Sequence, residues 1–118
     1  MCLCLGKILI KFADLEGVFV DIANIGNNLQ DLTGWFIERT VDGRRINYTF
    51  PDFQLHPHTT VRIYGKSHHQ TSISTTDDSD FQLIAPNVHD WDTGQHIRTE
   101  LFNRNHIARA LFEQIKDN

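Results

Sequence analysis

Cysteine is scarce in this chain of 118 residues, since only Cys2 and Cys4 are present and one residue separates them. A pair so close in sequence cannot staple distant parts of a fold, and no other cysteine is available as a partner. The disulfide-rich secreted class is therefore excluded, and a reducing compartment is favoured. Two thiols also fall short of the roughly four ligands that a structural zinc site needs.

The chain also lacks a long apolar run and a basic cluster. Lys7 and Lys11 interrupt the apolar start well short of the roughly 20 residues that span a bilayer, and no basic n-region or cleavage site of a signal peptide is present. Lysine and arginine number 11 against 15 acidic residues, giving a formal net charge of -4. We therefore expect no membrane insertion and no nucleic acid as the main partner.

The chain does contain short β-rich runs, which are separated by Gly, Asn, Asp and Pro. They recur about every ten residues and predict an all-β sandwich or barrel. The predicted strands lie near residues 8–12, 18–24, 35–40, 45–50, 60–64, 81–85, 97–103 and 106–113. A short helical end to the last run is the alternative, because residues 108–114 include good helix formers.

Apolar residues alternate with polar ones in several of these runs, so they share one face of a strand. Trp35 and Ile37 form such a pair, which predicts that Trp35 is buried and that its indole N–H has a partner. The residues predicted to form the core are Val20, Ile22, Trp35, Ile37, Phe50, Val61, Ile63 and Leu101.

Aromatic residues outside this set are the candidates for contact with a protein partner. Phe36, Tyr64 and Phe102 alternate away from the predicted core, and Trp91 stands among turn residues. For Trp91, packing across one end of the sandwich is the favoured interpretation, and a surface that faces a partner is the alternative.

Two connections have a clear sequence signal. Val41-Asp42-Gly43-Arg44 predicts a tight hairpin turn, because Asp-Gly tolerates positive φ angles. Residues 66–80 hold one large apolar side chain among many Ser, Thr and Asp residues, so we expect a long mobile loop there.

Histidines near aspartates suggest metal sites, but neither group has the ligand spacing of a recognised zinc motif. The two groups are His68, His69, Asp77, Asp78 and Asp80, and His89, Asp90, Asp92 and His96. No nucleophile elbow, phosphate-binding loop or dinucleotide fingerprint is present. We therefore predict no metal, no cofactor and no enzymatic activity, with a metal-dependent or hydrolytic enzyme on a β-sandwich as a remote alternative.

Three longer segments carry a more specific signal than the composition. In order they are LEGVFVDIANIGNNLQDLTGWFIER, YTFPDFQLHPHTTVRIYG and WDTGQHIRTELFNRN. Their motifs are Glu16-Gly17, a strand ending in Asn24, Leu32 to Trp35, Tyr48 to Pro51, Trp91, and Ile97 to Thr99. This order resembles the lamin tail domain, the immunoglobulin-like module that follows the coiled-coil rod in nuclear lamins and in some invertebrate cytoplasmic intermediate filament proteins.

The resemblance covers residues 8–114 and implies an immunoglobulin-like β-sandwich of two antiparallel sheets, with residues 1–7 as an N-terminal extension and 115–118 as a C-terminal tail. It implies no catalysis. The expected role is a structural and interaction module whose partners are other proteins, including filament subunits of its own kind. The parent chain would form coiled-coil dimers that assemble into filaments.

Departures from the lamin pattern favour a cytoplasmic location. Lamin tails linked to nucleic acid and envelope contacts carry basic residues around the hairpin exit, where this chain has Thr49, Asp52 and Gln54. It also has no basic import run and no C-terminal cysteine box. A nuclear lamin tail that binds envelope proteins and DNA is the alternative, and it would be favoured if folding gathered Arg44, Arg45, Arg62 and Arg104 on one face.

Overall fold

The structure is a computed structural model that describes residues 2–4, 6–68 and 79–116. Strands account for nearly all of its regular structure, with one 3-10 turn at Lys66–His68. The strands are β1 (Cys2–Cys4), β2 (Ile8–Ala13), β3 (Phe19–Asn24), β4 (Gln30–Asp31), β5 (Phe36–Val41), β6 (Arg44–Thr49), β7 (Gln54–Leu55), β8 (Thr59–Gly65), β9 (Phe81–Ala85), β10 (His96–Phe102) and β11 (Ala108–Ile115).

Two sheets pack face to face and confirm the predicted immunoglobulin-like sandwich. One has the strand order β1-β11-β10-β5-β6 and the other β2-β3-β8-β9, while β4 and β7 form a small two-stranded sheet. The prediction of purely antiparallel sheets is wrong in one place, since β8 and β9 are parallel. A tight turn cannot join parallel neighbours, and β8 and β9 are accordingly not consecutive through a short turn in the sequence.

The core lies between the inner faces of the two sheets. The alternation in β5 and β10, where every second residue is buried, shows how period-two patterning places apolar side chains on one face. Of the predicted core residues, those that the structure buries are Val20, Ile22, Ile37, Phe50, Val61, Ile63 and Leu101.

Trp35 departs from this prediction, because it is only half-buried and packs against the core from its margin. The residue precedes the first residue of β5, in a turn where its N–H donates to the carbonyl of Leu32 at 2.9 Å. It therefore lies at the end of the sandwich, where water reaches part of the indole.

Both ends of the chain contribute to the five-stranded sheet. β11 runs to Ile115, so the alternative of a helical end is wrong. β1 pairs antiparallel with β11, with Leu3 opposite Leu111, which brings part of the predicted N-terminal extension into the sheet. Of the predicted mobile loop, residues 69–78 lie outside the described residues.

The hairpin between β5 and β6 turns at Asp42 and Gly43, whose φ angles are 48° and 87°. Positive φ at both positions is the type I′ geometry that matches the twist of paired strands. The Asp42 carboxylate also accepts hydrogen bonds from the N–H groups of Gln95 and His96, at 3.1 and 2.9 Å. The turn is thereby tied to the first residues of β10.

Candidate protein-contact surface

The four aromatic residues predicted to contact a partner lie in different environments, and two of them are not on the surface. Trp91 has no exposed area and Tyr64 is 1% exposed. The predicted contact role of Tyr64 is therefore wrong, and for Trp91 the packed interpretation is correct and the partner-facing alternative is wrong. Phe36 and Phe102 are half-buried on the outer face of the five-stranded sheet.

Trp91 is buried because the loop between β9 and β10 turns it into the core. Its indole Nε1–H donates to the carbonyl of Ile63 at 3.0 Å, and its backbone N–H donates to the carbonyl of Gly17 at 2.8 Å. The indole meets Tyr48 edge to face, with 6.4 Å between ring centroids. A buried indole with its N–H satisfied is a stable arrangement, so this residue is a structural anchor.

Tyr64 does lie on the outer face of its sheet, as the alternation predicts, but neighbouring side chains cover it. Phe19, directly opposite on β3, meets it edge to face at 6.3 Å. The guanidinium of Arg62 lies 3.7 Å from the centroid of Phe19, and Arg62 also forms two hydrogen bonds with the carboxylate of Asp21. This layer of side chains removes Tyr64 from solvent.

Phe36 and Phe102 form the aromatic pair that remains at the surface. They are directly opposite each other on β5 and β10, and their rings stack with 4.9 Å between centroids and 13° between planes. His106 lies 5.1 Å from Phe36. Together with Glu38, Asn47 and Thr49 these rings line a shallow depression, which is the aromatic part of the candidate contact surface.

Arg39 is a buried charged residue that the sequence analysis missed. It lies on the inner face of β5 with no exposed area, and its Nη2 donates to the carbonyls of Asp14 at 2.8 Å and Asp92 at 3.1 Å. Burial lowers its pKa to about 10, while nearby carboxylates act in the opposite direction. The side chain therefore stays charged at neutral pH and ties two loops to the sheet. The period-two spacing with Ile37 and Val41 is the signal that points it inward.

The described aspartates of the histidine and aspartate groups accept structural hydrogen bonds. The Asp92 carboxylate accepts from Arg44 and from the N–H of Thr93, both at 2.8 Å, and Asp90 accepts from the N–H of Asp92. The hydrogen bonds from Arg44, the largest cause, and from the N–H of Thr93 lower the pKa of Asp92. Within residues 2–4, 6–68 and 79–116, no three His, Cys, Asp or Glu side chains converge as metal ligands. His69, Asp77 and Asp78 lie outside the described residues.

Several basic side chains are paired with carboxylates, and the arginines do not form one patch. The ion pairs are Arg44 with Asp92, Arg62 with Asp21, Arg98 with Glu100, Arg104 with Asp31, and Lys116 with Glu16. Arg44 begins β6 at the hairpin end of the sandwich, whereas Arg104 follows β10 at the opposite end. The four arginines considered above for DNA binding are therefore spread over the molecule.

The family of the chain follows from a match along nearly its whole length. The family model described as Lamin Tail Domain matches residues 5–115. The chain belongs to this family. The lamin tail domain is also 31% identical over 110 residues to the 70 kDa neurofilament protein of Doryteuthis pealeii. That match covers 92% of the chain and 17% of the neurofilament protein, so the chain spans less than a fifth of its relative.

No helix in the described part of this lamin tail domain approaches the length and apolar character of a membrane span. Its surface consists of sheet faces, strand edges and loops. In such a domain, function depends on which of these surfaces bind other molecules, since one fold can carry many different roles.

Proposed function

We propose that this lamin tail domain is the globular tail of a cytoplasmic intermediate filament protein, in which it serves as a structural and protein-interaction module. The observation that carries the proposal is the match to a neurofilament protein. The matched region makes up only 17% of that protein. A tail of this kind is one part of a longer chain. Its partners would be other proteins, including filament subunits of its own kind.

Repetition along a filament is what would make weak contacts of the tail effective. If the rest of the parent chain forms a coiled-coil rod, many copies of the domain are displayed at fixed spacing. Binding of a second tail to a multivalent partner then becomes intramolecular, and overall avidity exceeds the affinity of any single contact. The role needs a stable fold and an accessible surface, and it needs no catalytic group.

Charge distribution favours this function over that of a DNA-binding nuclear tail. Non-specific affinity for DNA depends on clustered lysine and arginine that neutralise phosphates. Here the net charge is -4, and several arginines already have a carboxylate partner. We expect no binding to duplex DNA tighter than about 10⁻⁴ M at physiological salt.

The decisive experiment is localisation and assembly of the full-length parent. A tagged parent should co-sediment with cytoplasmic filaments, and deletion of residues 5–115 should change filament interactions without abolishing assembly of the rod. Enrichment at the nuclear envelope, or salt-dependent micromolar binding of the isolated domain to DNA, would instead support a nuclear lamin tail.

A further inference from the structure

β6 forms one edge of the five-stranded sheet, and no other strand in the described part of the chain pairs with it on that side. Val41 pairs with Arg44 across the two-residue turn, so alternate residues of β6 exchange hydrogen bonds with β5. The N–H of Phe50 continues this alternation by donating to the carbonyl of Trp35 at 2.8 Å. The intervening residues, whose N–H and C=O groups point away from the sheet, are Arg45, Asn47 and Thr49.

One side chain confirms this orientation and partly caps the edge. Asn87 Nδ2 donates to the carbonyl of Asn47 at 3.0 Å. Among the described residues, the outward N–H groups of Arg45, Asn47 and Thr49 have no hydrogen-bond partner. Natural proteins protect such an edge with proline, a bulge or charged side chains, and of these β6 has only the charges of Arg44 and Arg45.

A cleft of about 510 Å³ runs along this open edge. The strand side contributes Arg45, Ile46 and Asn47, and the loop between β9 and β10 contributes the other wall. Ile46, which packs against the core, contributes an apolar side chain to the floor of the cleft, whereas the loop wall carries the polar residues His89, Asp90 and Asp92. An extended chain lying here would find backbone hydrogen-bond partners on the strand side and the side chain of Ile46 beneath it.

We propose that this cleft binds an extended segment of a protein partner, which joins the sheet as an additional strand beside β6. In strand addition, main-chain hydrogen bonds provide affinity and alternate side chains provide specificity. Side chains of the segment in line with Ile46 face the floor and should be β-branched and apolar. Those in line with Arg45 face solvent beside an arginine. This inference does not depend on a filament parent.

Arg45 favours an acidic side chain at the positions of the segment beside it, whereas Asp90 and Asp92 on the loop wall disfavour one at the positions that face them. The neighbouring Arg44 is bridged to Asp92 at 2.8 Å, whereas no carboxylate in the described part of the chain pairs with Arg45. A glutamate across from Arg45 would supply the missing partner. Pairing of β6 with β6 of a second copy, centred on Asn47, would place Arg45 opposite Thr49 and leave the arginine unpaired. The acidic segment is therefore favoured over self-association.

The proposal can be tested by NMR titration of the ¹⁵N-labelled domain with two capped heptapeptides. One peptide alternates valine with glutamate, and the other alternates valine with lysine. The glutamate peptide should bind at least about fivefold more tightly, the size expected from one exposed ion pair against a repulsion. It should slow hydrogen exchange at the amides of Arg45, Asn47 and Thr49. No binding at millimolar peptide, or concentration-dependent protection of these amides without peptide, would overturn it.

Variants of the edge separate strand addition from other binding. Asn47→Pro removes the outward N–H at the centre of the edge, where proline is tolerated, and should abolish peptide binding. Asn47→Ala is the matched control that keeps this N–H and should still bind. Asn87→Ala frees the carbonyl of Asn47 and should tighten binding about twofold, the effect of losing a weak competing hydrogen bond. Equal binding by Asn47→Pro and Asn47→Ala would contradict the proposal.

A charge reversal keeps the test valid if Asn47→Pro does not fold. Arg45→Glu leaves every backbone group in place and lies on an exposed position of β6. It should reverse the preference, so that the lysine peptide binds more tightly than the glutamate peptide. An unchanged preference for the glutamate peptide would show that Arg45 does not contact the segment and would overturn the assigned specificity.

Discussion

The two tryptophans of this domain lie in opposite kinds of sequence and have opposite burial. Trp91 stands between polar turn residues and is fully buried, whereas Trp35 stands in an apolar run and is half-buried. The difference lies in what holds each residue in place. Trp91 is fixed by hydrogen bonds from both its indole and its backbone, while Trp35 lies just before β5 at the end of the sandwich. Burial here is decided by the docking of a loop more than by the local run of apolar residues.

Replacing each tryptophan by alanine is the most direct way to test this contrast. Trp91→Ala should lower the free energy of unfolding by about 3–5 kcal/mol, because it deletes a fully buried aromatic and leaves the carbonyl of Ile63 without its donor. Trp35→Ala should cost about 1–2 kcal/mol, since part of that indole is already in water. Urea denaturation of both variants provides the measurement. A larger loss for Trp35→Ala would reverse the comparison.

These two residues also show how far the sequence predicts the fold. Alternation within a strand is local, so Ile37, Val61 and Leu101 could be assigned to the core without knowing the neighbouring strands. The burial of Trp91 depends on Ile63, which is 28 residues away, and no local pattern reports that contact.

The burial of Arg39 and the open edge of β6 were missed for different reasons. The position of Arg39 fits the buried face of β5, but an arginine is rarely buried without partners. The two carbonyls that accept its hydrogen bonds belong to loops distant in sequence, so local patterning could not reveal them. The open edge of β6 follows from strand order, which is a property of the whole sheet. The predicted contact surface retains only Phe36 and Phe102 as surface residues, and its role in binding remains a prediction.

Gly17 offers a second test of the loop that carries Trp91. Its φ is +82°, and an added Cβ would lie 2.6 Å from the backbone oxygen of Asp92. Gly17→Ala should therefore cost about 2–4 kcal/mol, combining backbone strain with displacement of the docked loop. Gly43→Ala is the matched control, because its φ is +87° but nothing lies within 4 Å of the added Cβ. It should cost only about 1–2 kcal/mol in thermal or urea unfolding. Equal losses would mean that the close approach to Asp92 contributes nothing.

Asp42 allows a pH test at the same end of the sandwich. Hydrogen bonds from the backbone N–H groups of His96 and Gln95 lower the pKa of its carboxyl below the ordinary value of 3.8. When folding lowers the pKa of a carboxyl group, the ionised group stabilises the fold fully at pH values above its pKa in the unfolded chain. This stabilisation is lost as the pH falls through its lower pKa in the folded state. Asp42→Asn, which tolerates the positive φ, should melt below the wild-type temperature at pH 7, and the gap should narrow towards about pH 2. A gap independent of pH would contradict this.

The smallest effect is expected at the stacked pair on the outer face, far from the Trp91 loop. Phe36→Ala and Phe102→Ala should each cost about 1 kcal/mol, because both rings are already partly in water. A double-mutant cycle should give a coupling of about 0.5–1.5 kcal/mol, the range for aromatic pairs, since the rings stack at 4.9 Å. Glu38→Ala, on the same face, is the control and should show no coupling to Phe102→Ala.

If Phe36 and Phe102 also form a contact surface in the assembled filament, the double variant should fold normally yet lose partner binding. Retained binding would assign the stack to stability alone.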